Sequence, residues 1–199
     1  MDTSSASRDL PPVTRPPAAI VIAGGRSSRF GGDKLLARID GRTLLARTMA
    51  AVAACEPVVL VSATAATLTG GVVTVSEHPR WGGPAAAIVA GVSALPVDAD
   101  ETLIVAADLA HPEAAVAALL AIEAGVLTDD DGRAQWLVAR VPTAALRERI
   151  ARVEAEGGTA DLPARAIVGE LGLPLVAAPA GATADIDVQE DLDRMKEHR

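Results

Sequence analysis

Glycines and basic residues follow the first apolar run of the chain. The stretch AAIVIAGGRSSRFGGDKLL, residues 18–36, leads from apolar residues into two glycine doublets, with arginines between them and Asp33-Lys34 behind. Backbone N–H groups that glycines leave open at the end of a strand bind phosphate oxygens, and nearby positive charge strengthens the binding. The stretch therefore predicts a phosphate-binding loop beginning at Gly24-Gly25.

The spacing in this loop excludes two common phosphate-binding classes. A dinucleotide-binding fingerprint that starts at Gly24 needs glycines at positions 26 and 29, which are arginines here. One that starts at Gly25 needs glycines at positions 27 and 30, which are Ser and Phe. A P-loop needs a lysine and then Ser or Thr directly after its last glycine. Here Gly32 is followed by Asp33, so the loop belongs to neither class.

Three further stretches place acidic residues or glycines where elements end: EHPRWGGPAAAIVAGV (77–92), TLIVAADLAHP (102–112) and ADIDVQEDLDRM (184–195). Asp108 stands at the carboxyl end of an apolar strand, where ligands of open α/β sheets bind. Each acidic residue also has an ordinary interpretation. Glu77 could be a solvated side chain, and Asp108 or Asp187 a helix cap.

Together these stretches resemble the nucleotidyltransferase family that includes molybdenum cofactor guanylyltransferase. Its loop has the pattern A-G-G-x-S-x-R-M-G-x-D-K, and this chain has IAGGRSSRFGGDK, with Phe30 in place of Met. The second stretch is similar to the family's Gly-Pro-Leu-Ala-Gly, with Ala85 and Ala87 replacing Leu and Gly. The last is similar to Asn-Ile-Asn-Thr-Pro-Glu-Asp-Leu. The resemblance covers residues 18 to about 194.

The resemblance implies a set of site residues. Nucleotide binding is assigned to Ile22, Ala23, Gly24, Gly25, Arg29, Lys34, Glu77, Gly83 and Asp108. Lys34, Arg29 and Asp108 are the expected catalytic residues: Lys34 approaches the α-phosphate, while Arg29 and the glycine amides hold the outer phosphates. Asp108 and Asp187 are the expected Mg²⁺ ligands, with Asp185 as the other candidate for the second position.

The implied reaction moves GMP from Mg-GTP to a terminal phosphate of molybdopterin and releases pyrophosphate. The Glu77 carboxylate can accept hydrogen bonds from the N–H edge of guanine, whereas cytosine has an acceptor there. A cytidylyltransferase, a transferase acting on a sugar phosphate or another phosphorylated metabolite, and a non-catalytic nucleotide-binding protein remain alternatives. Arg133, Arg140 and Arg165 are candidates for the acceptor's phosphate, and the sequence does not choose among them.

Apolar strands alternate with alanine-rich helical segments, which predicts an α/β chain with a mostly parallel sheet between two helical layers. The expected architecture is a three-layer α/β/α Rossmann-like nucleotidyltransferase fold with a small β-hairpin insertion. Strands are predicted at 18–23, 57–61, 72–75 and 102–107, helices at 43–54, 84–94, 112–124, 143–156, 163–171 and 189–198, and an edge hairpin across 126–140. Residues 1–17 are expected to form a disordered leader and 18–199 a single domain.

Composition limits the partners. The net charge of −8 disfavours binding to extended DNA or RNA. The chain has only one Phe, two Trp and no Tyr, which disfavours a surface on which successive nucleic-acid bases stack. No stretch is long enough for a membrane span. The single Cys55 excludes an intrachain disulfide, so a cytoplasmic protein is expected, and the sequence carries no signal of oligomeric state.

Overall fold

The computed structural model of this chain describes residues 15–24, 34–39, 41–62 and 71–186. Most of the predicted leader (1–14), most of the glycine loop (25–33) and the predicted last helix (189–198) lie outside the described residues. The division into a leader and a single domain therefore stays a prediction.

Within this part of the chain, seven strands form one sheet in the order β5-β4-β1-β6-β8-β7-β9. The strands are β1 (Ala18–Ile22), β2 (Arg38–Ile39), β3 (Arg42–Thr43), β4 (Val58–Val61), β5 (Val72–Val75), β6 (Glu101–Ala106), β7 (Gly125–Thr128), β8 (Ala134–Pro142) and β9 (Leu175–Ala177). Strand β8 is antiparallel to both of its neighbours, and the other pairs of this sheet are parallel. The mostly parallel sheet is thus confirmed.

The predicted hairpin of residues 126–140 is present as β7 and β8, and both strands belong to the main sheet. Strand β9 lies outside β7 at the edge. The short strands β2 and β3 pair separately as a two-stranded hairpin, which was not predicted. Gly41 lies in their turn with a φ of +78°, a left-handed conformation that glycine adopts without strain.

Helices cover both faces of the sheet. They are α1 (Leu44–Ala51), α2 (Gly83–Ser93), α3 (Pro112–Leu120), α4 (Thr143–Ala155) and α5 (Arg165–Val168), with short 3-10 helices at Lys34–Leu36 and Gly169–Leu171. Successive side chains of β1 point to opposite faces: Ile20 packs in the cluster with Ile88 of α2, and Val21 in the cluster with Leu119 of α3. The chain therefore has the three layers that were expected.

The contact between α2 and β1 is very close. A Cβ placed on Gly91 of α2 would lie 2.4 Å from Cγ2 of Ile20, so only glycine allows the helix to approach this far. This contact fixes α2 over the centre of the sheet. None of the helices in the described ranges has the length and apolar character needed to cross a membrane.

Candidate nucleotide site

Four parallel strands end in register at one edge of the sheet. Their last residues are Val75, Val61, Ile22 and Ala106. Bonds from Ala23 N to the Val61 carbonyl, from Ser62 N to the Val75 carbonyl and from Ala107 N to the Ile22 carbonyl extend the pairing by one residue, at 2.8 to 3.0 Å. The residues that follow these strands therefore meet at the edge where open α/β sheets bind ligands.

Glu77 follows β5, and only 6% of its surface is exposed. Among the described residues, its Oε2 atom has no hydrogen-bond partner. A Cβ placed on Gly24 would lie 3.5 Å from Oε2 and 3.6 Å from Oε1, so the carboxylate lies against the backbone that enters the glycine loop. The interpretation of Glu77 as a solvated surface residue is therefore wrong.

The first part of the predicted loop follows β1 directly. Ile22 is buried, Ala23 is half-buried and Gly24 is exposed. Gly25 and Arg29 lie outside the described residues. The backbone of Lys34 begins the 3-10 helix Lys34–Leu36, while its side chain is also outside the description.

Gly83 begins α2, one residue before the predicted start at Pro84, which lies in the first turn. Its φ of +87° requires glycine, and a Cβ there would lie 3.6 Å from the Cα of Asp161. Two backbone bonds join this helix start to the loop between α4 and α5: Asp161 N donates to Gly82 O at 2.8 Å, and Ala85 N donates to Leu162 O at 3.2 Å. The start of α2 is thus fixed beside the carboxyl edge of the sheet.

Asp108 follows β6 at the same edge and is half-buried. Helix α3 begins at Pro112 with His111 as its N-cap, so the interpretation of Asp108 as a helix cap is wrong. The closing segment binds beside it, since Ala110 N donates to the Ala184 carbonyl at 2.8 Å and Ile186 N donates to the Asp108 carbonyl at 3.1 Å. Asp187, the next residue, lies outside the described residues.

The oxygen donors at this edge suit Mg²⁺, which takes one or two protein carboxylates and completes its octahedron with water and phosphate oxygens. Asp108 is one carboxylate at this edge, and Asp185 lies in a β-bridge with Leu109, the residue after Asp108. Within the described ranges, no group of three or more His, Cys, Asp or Glu side chains could hold a metal. A site completed by ligand oxygens needs no such group.

The three arginines considered for the acceptor lie in different places. Arg140 donates to the Ile122 carbonyl at 2.7 Å and lies 3.8 Å from Glu101 at the amino end of β6, so the structure removes it from the site. Arg133 is at the carboxyl edge but pairs with Asp131 at 2.8 Å. Arg165 begins α5, three residues after Leu162, on the side of the site formed by α2.

Sequence reasoning did not single out Ser62. It follows β4 between the ends of β1 and β5, and only 6% of its surface is exposed. Ser76 Oγ donates to its carbonyl at 2.7 Å. Ser62 could have been predicted as a site residue, because it follows an apolar strand, as Asp108 does, and ligands of open α/β sheets bind at strand ends.

A family model and several curated proteins match this chain. Residues 19–172 match the model of the MobA-like NTP transferase domain. A probable molybdenum cofactor guanylyltransferase of Synechococcus elongatus is 39% identical over 109 residues, which are 52% of this chain and 55% of that protein. The matched part is thus about half the length of this curated relative.

Two solved structures have the same fold. A molybdopterin-guanine dinucleotide biosynthesis protein A from Archaeoglobus fulgidus superposes with a TM-score of 0.62 at 17% identity, over 91% of this chain and 97% of that one. A 2-C-methyl-D-erythritol 4-phosphate cytidylyltransferase from Thermus thermophilus gives 0.63 at 20% identity, over 92% and 98%. The match of the family model over residues 19–172 shows that the chain belongs to the MobA-like NTP transferase family.

Proposed function

We propose that this protein transfers GMP from Mg-GTP to a terminal phosphate of molybdopterin and releases pyrophosphate. The family match and the name of the Synechococcus elongatus relative support this class of reaction. Because structural neighbours include a cytidylyltransferase, the fold alone does not choose the base. The choice of guanine depends on the site.

The observation that carries the proposal is the buried carboxylate of Glu77 beside Gly24. A carboxylate is an acceptor-only group, and leaving its buried Oε2 atom without a partner is costly. Guanine presents two adjacent donors, the ring N–H and the exocyclic amine, which match the two carboxylate oxygens. Cytosine presents an acceptor at the corresponding ring position, which a carboxylate repels. Glu77 is therefore the proposed selector of guanine.

We assign the phosphate groups of the nucleotide to the other predicted site residues. The amides of Gly24 and Gly25, with Arg29, bind the outer phosphates, and Lys34 neutralises charge at the α-phosphate. Asp108 and Asp187, or Asp185 in place of the latter, would hold Mg²⁺. This ion would neutralise phosphate charge and help to orient the triphosphate.

In the proposed step, an anionic oxygen of the acceptor's terminal phosphate attacks the α-phosphorus of GTP in line. A phosphorus–oxygen bond forms to the acceptor while the bond to the bridging oxygen breaks, and both of its electrons leave with pyrophosphate. The attacking phosphate is already ionised near neutral pH, so no side chain has to remove a proton. The protein contributes position and charge neutralisation.

The test measures binding of GTP, CTP and ATP with Mg²⁺ by calorimetry, and then pyrophosphate release after addition of molybdopterin. GTP is expected to bind in preference and to support release. Glu77→Gln should reduce the GTP-to-CTP affinity ratio by about 10-fold or more, because a hydrogen bond to a charged group contributes roughly 1.5–3 kcal/mol.

Glu56→Gln is the matched control, since Glu56 is exposed and lies next to the amino end of β4, at the opposite edge of the sheet. It should leave the ratio unchanged. An unaltered ratio in Glu77→Gln would remove Glu77 as the selector. Preferential binding of CTP by the wild type, or the absence of pyrophosphate release with molybdopterin, would contradict the proposed reaction.

A further inference from the structure

The loop between β5 and α2, which contains the proposed base-recognising residue Glu77, also carries an exposed tryptophan. Both ends of this loop are fixed: Glu77 is buried against Gly24, and Gly82 receives a backbone bond from Asp161 at 2.8 Å. Trp81 lies between them, immediately before the glycines that begin α2. Trp81 is 43% exposed, although large aromatic residues usually gain most of their stabilisation from burial.

The backbone of Trp81 is held in a conformation that disfavours a bulky residue. Its φ is +66°, and Asp161, at +59°, is the other non-glycine residue with a positive φ in the described part of the chain. Glycine would adopt this conformation without the penalty. Strain of this kind is found at functional sites, where a side chain must be presented in a particular direction.

The ring is also held by a neighbour. The Cζ atom of Arg80 lies 5.4 Å from the centre of the Trp81 ring, the distance of a cation–π contact. Even with Arg80 in this position, 43% of the Trp81 surface is exposed. The loop thus presents a fixed aromatic surface to solvent, four residues after the carboxylate proposed to recognise the base.

We infer that Trp81 stacks on the purine ring of the nucleotide, so that Glu77 recognises the edge of the base and Trp81 its face. This inference rests on the proposed function, because it assigns a second residue to the same base site. Stacking is tolerant of base identity but favours the larger purine ring. Trp81 therefore adds affinity for purine nucleotides, while Glu77 separates guanine from the others.

The test uses the two tryptophans of the chain as matched reporters. Trp136, on β8, packs partly buried against the core and close to Gly169. Trp136→Phe leaves Trp81 as the single indole, and Trp81→Phe leaves Trp136. With Mg-GTP, quenching of fluorescence is expected in Trp136→Phe, because a stacked purine quenches an indole, and is expected to be absent in Trp81→Phe.

Affinity gives the second measurement. Trp81→Ala should weaken GTP binding by about 5-fold to about 150-fold, the range for loss of one aromatic stacking contact. Binding of inorganic tripolyphosphate should stay within about 2-fold of the wild type, because it has no base. Trp81→Phe should keep most of the GTP affinity.

The outcomes separate this inference from the proposed function. Wild-type protein that binds no GTP contradicts the proposed function. Wild-type binding of GTP with no quenching in Trp136→Phe overturns the role of Trp81 alone. Equal losses of GTP and tripolyphosphate affinity in Trp81→Ala would also overturn it, because they would show a general distortion of the site.

Discussion

The carboxylate oxygens of Glu77 lie 3.5 and 3.6 Å from the position that a Cβ would occupy on Gly24, although the two residues follow strands that are separated by β4. The side chain reaches across the end of that strand to the start of the glycine loop. Base recognition and phosphate binding are therefore proposed to share one backbone segment. A change at Gly24 should affect the ligand more than the fold.

Gly24→Ala tests this relationship. The new methyl would lie 3.5 Å from Glu77 Oε2, an ordinary contact distance, so the free energy of unfolding should change by less than about 1 kcal/mol. The same methyl would cover part of the carboxylate, and GTP affinity should fall about 10-fold or more. Urea unfolding and calorimetric titration measure the two effects.

The double variant Gly24→Ala/Glu77→Gln provides the control. If the methyl acts through the carboxylate, its effect on GTP affinity should be smaller in the Glu77→Gln background than in the wild type. Strictly additive effects would contradict the proposed coupling. Large destabilisation by Gly24→Ala alone would show that the glycine is required for folding instead.

Position at a strand end explains which parts of the site could be predicted. Asp108 follows a continuous apolar strand, so its place at the ligand edge follows from the sequence and the rule for open α/β sheets. The burial of Glu77 could not be predicted, because it depends on contact with Gly24 from another loop. The positive φ of Trp81 has no sequence signal of its own, because it belongs to a turn closed by a bond from Gly82 N to the Pro79 carbonyl at 2.8 Å, and glycine would be the usual residue there.

The elements that were missed are short or exposed. Strands β2 and β3 have two residues each, too few for any periodicity, although the Asp-Gly between them is a turn signal. Strand β9 has three residues, of which Leu175 is exposed, and it gains its structure by pairing with β7. Tertiary pairing, and not local pattern, creates these strands.

Asp108→Asn tests the proposed metal ligand. Replacing a carboxylate by an amide removes the charge that favours Mg²⁺, so pyrophosphate release should fall on the order of 100-fold and require more Mg²⁺ for half-maximal rate. Asp100→Asn is the control, because Asp100 is exposed just before the amino end of β6. A wild-type Mg²⁺ dependence in Asp108→Asn would exclude Asp108 as a ligand.

Gly91→Ala tests the close contact between α2 and β1. The added methyl would lie 2.4 Å from Ile20 Cγ2, so helix and strand must move apart, and overpacking of this kind costs roughly 1–3 kcal/mol. The midpoint of thermal unfolding should fall by several degrees. In Gly91→Ala/Ile20→Ala the destabilisation should be less than the sum of the two single effects, and a simple sum would show that the contact is not the cause.

Cys55 is buried at the end of the turn after α1, and burial raises the pKa of its thiol to about 11 from an ordinary value of 9.0, although the guanidinium of Arg140 opposes the shift. The unfolded chain releases this proton at lower pH than the folded chain does. Stability should therefore fall as the pH rises through the interval from 9 to 11. At 1.36 kcal/mol per pKa unit, the rise from 9.0 to about 11 sets an upper limit on this loss of about 3 kcal/mol. Urea unfolding of the wild type and Cys55→Ala from pH 8 to pH 11 isolates this effect, since the alanine variant lacks the titrating group. The two curves should diverge above pH 9, and parallel curves would show that the thiol ionises equally well in the folded protein.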